Sequence, residues 1–123
     1  IEDSRGGDVL PAAELPPGAY ALVVAAAFDP ADVKDVAPLA GTALVRLESR
    51  IGSDGLTNSG EVVRLRGGAT ADAPVISSYG GWVDTSATAW SGKSVHRATD
   101  DACDRPASWN RTPLVATPGW GLP

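Results

Sequence analysis

Proline and glycine recur every few residues along this chain, and they limit what it can fold into. The 123 residues include ten prolines and fourteen glycines, which divide the chain into short segments. Proline inside a helix removes a backbone donor and clashes with the preceding turn, and glycine weakens a helix by about 1 kcal/mol relative to alanine. No long segment keeps a helical period of apolar residues. The sequence therefore predicts an all-β protein.

Short runs rich in β-branched, aliphatic or aromatic residues lie between these turns. Five runs are predicted to be strands: residues 20–24, 43–47, 61–66, 75–79 and 94–97. In the third run Arg64 and Arg66 alternate with aliphatic residues, which predicts charged side chains facing out and apolar ones facing in. Strands at this spacing, without helices between them, are typical of a sandwich or barrel. One helical turn is expected at residues 30–35, with Asp29 as its cap.

The last third of the chain, residues 79–123, differs in composition. It contains the only histidine, the only cysteine and all four tryptophans: Trp82, Trp90, Trp109 and Trp120. Few of its runs have strand length, so we predict a long irregular C-terminal arm that the tryptophans pin across the sandwich. Much of the remaining apolar content is alanine, which predicts a thin, aliphatic core. Two or more tryptophans exposed side by side would instead indicate a binding surface.

The charge distribution argues against two classes of partner. Net charge is −5, and the ten basic residues are scattered along the chain. Proteins that hold nucleic acid through its phosphates usually have a basic face, and docking on anionic lipid also needs clustered basic residues. The apolar run at residues 20–27 is far shorter than the ~20 residues of a membrane-spanning helix. We therefore expect no nucleic-acid binding and no membrane insertion.

Four pieces of the sequence, in order along the chain, carry a resemblance to a known family. They are residues 15–24 (LPPGAYALVV), residues 56–65 (LTNSGEVVRL), Ser78-Tyr79 followed by Trp82, and residues 92–97 (GKSVHR) followed by Ser108-Trp109 and residues 117–119 (TPG). Together they resemble the lamin tail domain, in which a leucine, an asparagine and a Gly-Glu pair lead into a strand. The resemblance covers nearly the whole chain. It implies one domain over residues 1–123, with an immunoglobulin-like β-sandwich fold and no catalytic motif. The signature positions are Asn58, Gly60, Glu61, Trp82, Arg97, Trp109, Pro118 and Gly119.

The sequence departs from the family pattern in two places. Residues 95–97 read Val-His-Arg where the family usually has Leu-Glu-Arg, which keeps the arginine and loses the acid. Residues 1–3 align with a strand that follows the family's first strand or strands. We therefore expect this chain to be a portion of a longer protein. An unpaired sheet edge would recruit either the separated first strand or a partner's strand by strand addition.

The signature residues around position 60 are expected to serve the fold rather than chemistry. Asn58 and Gly60 suit a left-handed turn, and Glu61 can accept backbone hydrogen bonds from a neighbouring loop. His96 is the only histidine, so a metal site of several imidazoles is excluded. Ser94 and His96 would share one face of a strand, but a catalytic triad also needs an orienting acid. A structural or exposed histidine is favoured over a catalytic one.

A small acidic loop surrounds the only cysteine. Asp100, Asp101 and Asp104 lie close to Cys103, but their spacing lacks the glycine and terminal glutamate of a calcium loop. A solvated loop is therefore favoured over a metal site. Two alternatives stay open for Cys103: a disulfide to a segment missing from this chain, or a buried free thiol. We predict no catalytic residue, cofactor or metal.

These expectations favour a non-catalytic binding, adhesion or anchoring module of a larger protein. Its partner would be a protein or a surface polymer. The bacterial members of the lamin tail family are secreted or lie at the cell surface, so the resemblance implies an extracellular location. One alternative is the C-terminal accessory domain of a secreted hydrolase whose active site lies outside this chain. A pocket lined by His96, Ser94 and acidic residues would favour it. Another is a structural domain that assembles through its open sheet edge.

Overall fold

The computed structural model describes residues 1–32, 36–52, 54–57, 61–80, 93–99 and 103–115. These contain six strands and one short 3-10 turn: β1 (Ala21–Val24), β2 (Ala43–Arg46), β3 (Val63–Arg66), β4 (Val75–Tyr79), β5 (Lys93–Arg97), the 3-10 turn at Pro106–Ser108 and β6 (Trp109–Val115). The all-β prediction is confirmed, because this part of the chain contains no α-helix. In the same residues, no helix has the length and apolar character needed to cross a membrane.

The five strands predicted from the sequence are all present as β1 to β5, with ends that agree to within two residues. The described strands pair as three two-stranded sheets, β1 with β2, β3 with β4 and β5 with β6. Strand β1 follows a turn at residues 16–19, as the predicted punctuation requires. There the Ala19 amide donates to the Pro16 carbonyl at 2.9 Å, and Gly18 has a positive φ of 78°.

The β1–β2 pair is parallel, with Leu22 opposite Leu44 and Val23 opposite Val45. Its ladder continues past β2, because the Leu47 amide donates to a β1 carbonyl at 2.9 Å. A parallel pair needs a crossover connection between its strands. The immunoglobulin-like sandwich that the family resemblance implies consists of antiparallel sheets. The parallel β1–β2 pair differs from that sandwich.

The described core is small and aliphatic. Its buried apolar side chains are Val24, Val45 and Leu47, all on or next to the parallel pair. No large side chain is fully buried within the described residues. Both valines are β-branched, which suits strands that pack against neighbours on a pleated surface. The aliphatic character and the thinness of the core were both predicted from the composition.

The β3–β4 pair is antiparallel, with a bulge where β4 takes one extra residue near Ile76. The other edge of β3 is occupied by a single residue of the N-terminal segment. The Glu2 amide donates to the Arg64 carbonyl at 2.9 Å, and the Arg64 amide donates to the Glu2 carbonyl at 2.9 Å. Residues 1–8 double back as a tight hairpin in which Glu2 also bridges Gly7.

The β5–β6 pair corrects the prediction of a long irregular arm over residues 79–123. The segment Trp109–Val115 is the longest strand in the described chain and pairs antiparallel with β5. The sequence concealed it because Pro113 interrupts the run and proline normally argues against a central strand. In the structure the ladder is broken between Asn110 and Leu114, so Pro113 lies in the interruption.

The helical turn expected at residues 30–35 is present in part. The Asp29 carboxylate accepts a hydrogen bond from the Ala31 amide at 2.9 Å, and the Asp32 amide donates to the Asp29 carbonyl at 3.2 Å. Asp29 therefore caps a turn, as predicted. Residues 33–35, the second half of the expected helical turn, lie outside the described residues.

Candidate functional site

Only part of the predicted signature falls within the described chain. Glu61, Arg97 and Trp109 are described. The positions that lie outside the described residues are Asn58, Gly60, Trp82, Pro118 and Gly119, together with Trp90, Trp120, Asp100 and Asp101. The roles expected for those residues stay predictions.

Arg97 and Trp109 meet in one cluster with Tyr79, Ser78 and Asp104, which we call the clasp. The Trp109 and Tyr79 rings pack edge to face, with centroids 4.8 Å apart and an interplanar angle of 87°. The Arg97 guanidinium lies 5.0 Å from the centroid of the Trp109 ring. Edge-to-face rings and a guanidinium over an indole are both favourable arrangements. The clasp therefore joins the β3–β4 sheet to the β5–β6 sheet.

Asp104 is the polar centre of the clasp. Its carboxylate accepts hydrogen bonds from the Ser78 hydroxyl at 2.8 Å, from the Trp109 indole N–H at 2.9 Å and from the Gly80 amide at 3.2 Å. The side chain is half-buried. Bonds to a charged acceptor are stronger than bonds between neutral groups. The prediction of a solvated acidic loop is therefore wrong for Asp104, because this carboxylate accepts bonds from the end of β4 and from the first residue of β6.

Arg97 caps the outer edge of β4. Ser78 lies opposite Arg64, whose main-chain amide and carbonyl both bond to Glu2. This pair is therefore the non-hydrogen-bonded kind, and the Ser78 carbonyl faces away from β3. The Arg97 guanidinium donates to that carbonyl at 3.1 Å and to the Ser77 hydroxyl at 3.0 Å. A charged side chain thus stands where another strand could pair, which is a common way to protect an edge.

Glu61 has the structural role that the sequence predicted. Its carboxylate accepts a hydrogen bond from the Thr57 backbone amide in the preceding loop. Its other oxygen accepts a hydrogen bond from the Ser4 hydroxyl at 2.6 Å. The expected backbone bond from a neighbouring loop is therefore confirmed, and the same carboxylate also contacts the N-terminal hairpin.

A second charged cluster lies on the opposite edge, where Glu2 faces Arg64 and Arg66. The Glu2 carboxylate accepts bonds from the Arg66 Nε and Nη2 atoms, both at 2.8 Å, and from Arg64 Nη1 at 3.4 Å. The Arg66 hydrogen bonds hold the pKa of the Glu2 carboxyl below its usual value, and the Glu2 hydrogen bond raises the pKa of Arg66. We call this cluster, with the β3 edge, the Glu2 groove.

The Glu2 groove corrects one feature of the predicted strand pattern. Arg64 and Arg66 were expected to face solvent, but all four residues of β3 are half-buried. Side-chain exposure is 37% for Arg64 and 23% for Arg66. The N-terminal segment covers both arginines, and the local alternation of β3 contains no information about a partner more than sixty residues away in sequence.

An open cleft of about 230 Å³ adjoins the Glu2 groove. It is lined by residues 1–2, by residues 7–9, by Arg66 and by residues 68–71 of the loop between β3 and β4. The loop contributes small side chains and the Thr70 hydroxyl, and the hairpin contributes the carboxylates of Glu2 and Asp8. An extended segment that ran antiparallel to β3 past Arg66 would enter this cleft.

The hairpin of residues 1–8 is held from a second side by the loop that follows β2. The Gly52 amide donates to the Asp8 carboxylate at 2.9 Å, and Arg5 pairs with Asp54 at 3.0 Å. Asp3 is buried, and one of its oxygens accepts bonds from the amides of the turn, including that of Gly6 at 2.9 Å. The other Asp3 oxygen is buried without a hydrogen-bond partner and packs against Gly52.

The residues considered for catalysis are placed as follows. His96 is half-buried in β5, opposite Asn110. The β5–β6 register shifts between Ser94 and His96, and the extra residues lie in β6, so the expectation that both share one face of β5 stays a prediction. The Ser94 side chain lies outside the described atoms. Cys103 is exposed, which overturns the alternative of a buried thiol and leaves the disulfide to another segment as a prediction.

The described residues contain no group of three or more histidine, cysteine, aspartate or glutamate side chains that could hold a metal ion. The carboxylates that do converge are bonded to guanidinium, amide, hydroxyl or indole donors. These contacts are charge-assisted hydrogen bonds that join strands and loops of a small β structure. No family model matches this sequence, and neither the curated proteins nor the solved structures gave a match. The likeness to the lamin tail domain depends on the sequence motifs alone.

Proposed function

We propose that this chain is a non-catalytic, extracellular or cell-surface module of lamin-tail type. Its strands form an immunoglobulin-like sandwich that binds a protein or surface polymer and so anchors a larger protein. The proposal includes the sandwich arrangement, in which the clasp joins two of the strand pairs and the parallel β1–β2 pair contributes the aliphatic core.

One observation carries this proposal: more large apolar side chains are exposed than buried in the described chain. Three are buried, whereas eight are exposed: Val9, Leu15, Tyr20, Val36, Leu39, Leu56, Val75 and Ile76. Val75 and Ile76 are consecutive on β4, with exposures of 45% and 63%. Apolar surface that forms a patch usually marks a site of interaction. In the proposed binding role, Val75 and Ile76 belong to such a patch.

The chemistry of the charged side chains supports the same proposal. Glu61, Arg97 and Asp104, which are candidate functional residues by type, each bond to strand or loop atoms of the same chain. Their geometry explains the residue types through the fold. The proposal therefore needs no reacting group.

Retention on surfaces tests this function. The fluorescently labelled chain is incubated with insoluble polysaccharides, with peptidoglycan and with protein-coated beads, and the bound fraction is measured as a function of concentration. We expect saturable binding to one class of surface, with affinity lowered about tenfold by Ile76→Lys, because apolar contacts of this size contribute roughly 1–3 kcal/mol. Asp54→Ala is the matched control and should bind normally. The absence of saturable binding on every surface, or release of soluble sugar or peptide from one, would contradict the proposal.

A second candidate function, assembly with copies of itself, is favoured by the strand edges. Each sheet among the described residues has two strands, and the outer edge of β3 is bridged at one residue. Unpaired edges recruit strands. Sedimentation velocity over a hundredfold concentration range tests this function: a mass that rises to that of a dimer supports it, and a constant monomer mass excludes it.

A further inference from the structure

We propose that the Glu2 groove is a docking site for an extended acidic segment of a protein partner, and that the chain's own residues 1–8 fill it in this structure. This inference rests on the proposed binding function and specifies the chemistry of the partner. It concerns the edge of β3 rather than the exposed apolar residues of β4, so the two can be tested separately.

The main chain of β3 provides the first part of the site. The amide and carbonyl of Arg64 point away from β4, and both bond to Glu2 in the pattern of an added antiparallel strand. The pairing extends over one residue on this edge. An extended peptide can make the same two bonds and continue along β3, which is the way that peptides add to sheet edges.

The two arginines provide the second part, which selects for an acidic residue. Side chains alternate along β3, so Arg64 and Arg66 lie on the same face, with Arg64 directly opposite the Glu2 position of an added strand and Arg66 diagonal to it. The Glu2 carboxylate fills that position and accepts two bonds from Arg66 at 2.8 Å. A further hydrogen bond fixes the orientation of the Arg66 guanidinium, because its Nη1 atom donates to the Ala73 carbonyl at 2.7 Å. A planar guanidinium held in this way suits a carboxylate.

The neighbouring cleft provides room for the rest of a peptide. Its volume of about 230 Å³ holds several small side chains, and its lining from Arg66 to residues 68–71 continues the direction of an added strand. Among the described residues, Arg66 is the one basic side chain in the lining of this cleft, which also contains the carboxylates of Glu2 and Asp8. The residues of the partner that enter it are therefore expected to be small or neutral.

A partner has to displace Glu2, which makes two backbone bonds to Arg64 and three side-chain bonds to the two arginines. Side-chain exposure is 20% for Glu2 and 23% for Arg66, so water competes for both groups. Other anchors of the hairpin, at Asp8 and Arg5, lie on the side of the loop after β2. Replacing Glu2 removes its three guanidinium bonds and frees the arginine side chains, while those anchors remain. The main chain of residue 2 is then held on the edge by its two bonds to Arg64, which the peptide strand has to displace.

The test uses a fluorescein-labelled peptide, acetyl-Thr-Ile-Glu-Val-Thr-amide, and its glutamine counterpart, with binding followed by anisotropy. The proteins are the wild-type chain, Glu2→Ala, Glu2→Gln, and Glu2→Ala combined with Arg66→Ala. The combination of Glu2→Ala with Arg105→Ala is the matched control, because Arg105 is an exposed arginine that lies away from the groove. Circular dichroism confirms that each variant keeps its strands.

The glutamate peptide should bind Glu2→Ala and Glu2→Gln about tenfold or more tightly than the wild-type chain, because a charged hydrogen bond no longer has an internal competitor. Binding should fall by at least the same factor when Arg66 is also replaced, or when the peptide carries glutamine, and the Arg105 control should bind as Glu2→Ala does.

Three results would overturn the proposal. These are no binding to a folded Glu2→Ala chain at millimolar peptide, binding that survives the loss of Arg66, and a wild-type dimer that Glu2→Ala abolishes. The last result would assign the groove to a second copy of the chain. Saturable retention on a surface combined with no peptide binding would refute the groove alone and leave the proposed function standing.

Discussion

Replacing Asp104 by alanine should destabilise the fold more than any other single change to an acidic residue of the clasp or the hairpin. Three donors lose their acceptor at once: the Ser78 hydroxyl, the Gly80 amide and the Trp109 indole N–H. A hydrogen bond to a charged group contributes about 1.5–3 kcal/mol, and linked bonds are not additive. Asp104 is half-buried and one of its bonds is long at 3.2 Å, so we expect a total loss of about 2–4 kcal/mol.

Urea unfolding followed by tryptophan fluorescence measures this loss, with the slope against urea checked for constancy between variants. Asp104→Asn keeps an oxygen that can still accept from the Trp109 indole and the Gly80 amide, so it should lose only about 1 kcal/mol. Asp54→Ala is the control, since it removes an ion pair whose side chains are 55% and 68% exposed and which should contribute under about 1 kcal/mol. If Asp104→Ala and Asp54→Ala prove equally stable, the clasp does not hold the sheets together.

Three further predictions follow from the same structure. The Arg66 hydrogen bond lowers the pKa of Glu2, so the stabilisation by this ion pair is present at pH values above the ordinary pKa of 4.5. It is lost as the pH falls through the lowered pKa of the folded state. Glu2→Gln should therefore reduce the fall in the urea midpoint between about pH 6 and about pH 3. Gly52→Ala should cost about 2–4 kcal/mol in urea unfolding, because φ is +61° and a Cβ would overlap a buried carboxylate, whereas Gly18→Ala, with φ of +78° and open space, should cost about 1 kcal/mol. Arg97→Lys should lower the urea midpoint by about half as much as Arg97→Ala, since lysine keeps the charge but not the planar fork.

The strands were predictable because their signals are local. The alternation at residues 61–66 and the turn residues before each run are sufficient to place β1 to β5. The strand Trp109–Val115 was not predicted, because Pro113 lies inside it and proline argues against a strand. Its pairing tolerates the proline because the ladder is interrupted between Asn110 and Leu114, and a register break of this kind leaves no periodic trace in a sequence.

The charged clusters were not predictable because their partners are distant in sequence. Asp104 bonds to a hydroxyl on β4, at Ser78, and Glu2 bonds to Arg66 near the middle of the chain. A carboxylate in a run of acids is usually solvated, and nothing local distinguishes Asp104 from Asp100 or Asp101. Glu61 was the exception, since the amide from which it accepts a hydrogen bond belongs to Thr57, only four residues away.

The parallel β1–β2 pair was also beyond sequence reasoning. The two runs, at residues 20–24 and 43–47, have the composition of strands, but composition does not distinguish parallel from antiparallel pairing in runs this short. Their order in the sheet depends on the crossover between them and on the packing of Val24, Val45 and Leu47. The register is a property of the folded core.

The central claim is that Arg97 and Trp109, two of the signature residues, join the β3–β4 pair to the β5–β6 pair. A nuclear Overhauser spectrum of the labelled chain tests it most directly through the ring protons of Trp109 and Tyr79, whose centroids lie 4.8 Å apart. We expect strong cross-peaks between the two rings and from the indole N–H to Ser78, with the ring-to-ring peaks weakened in Asp104→Ala. A well-dispersed spectrum in which Trp109 shows contacts only to its own strand pair would contradict the claim.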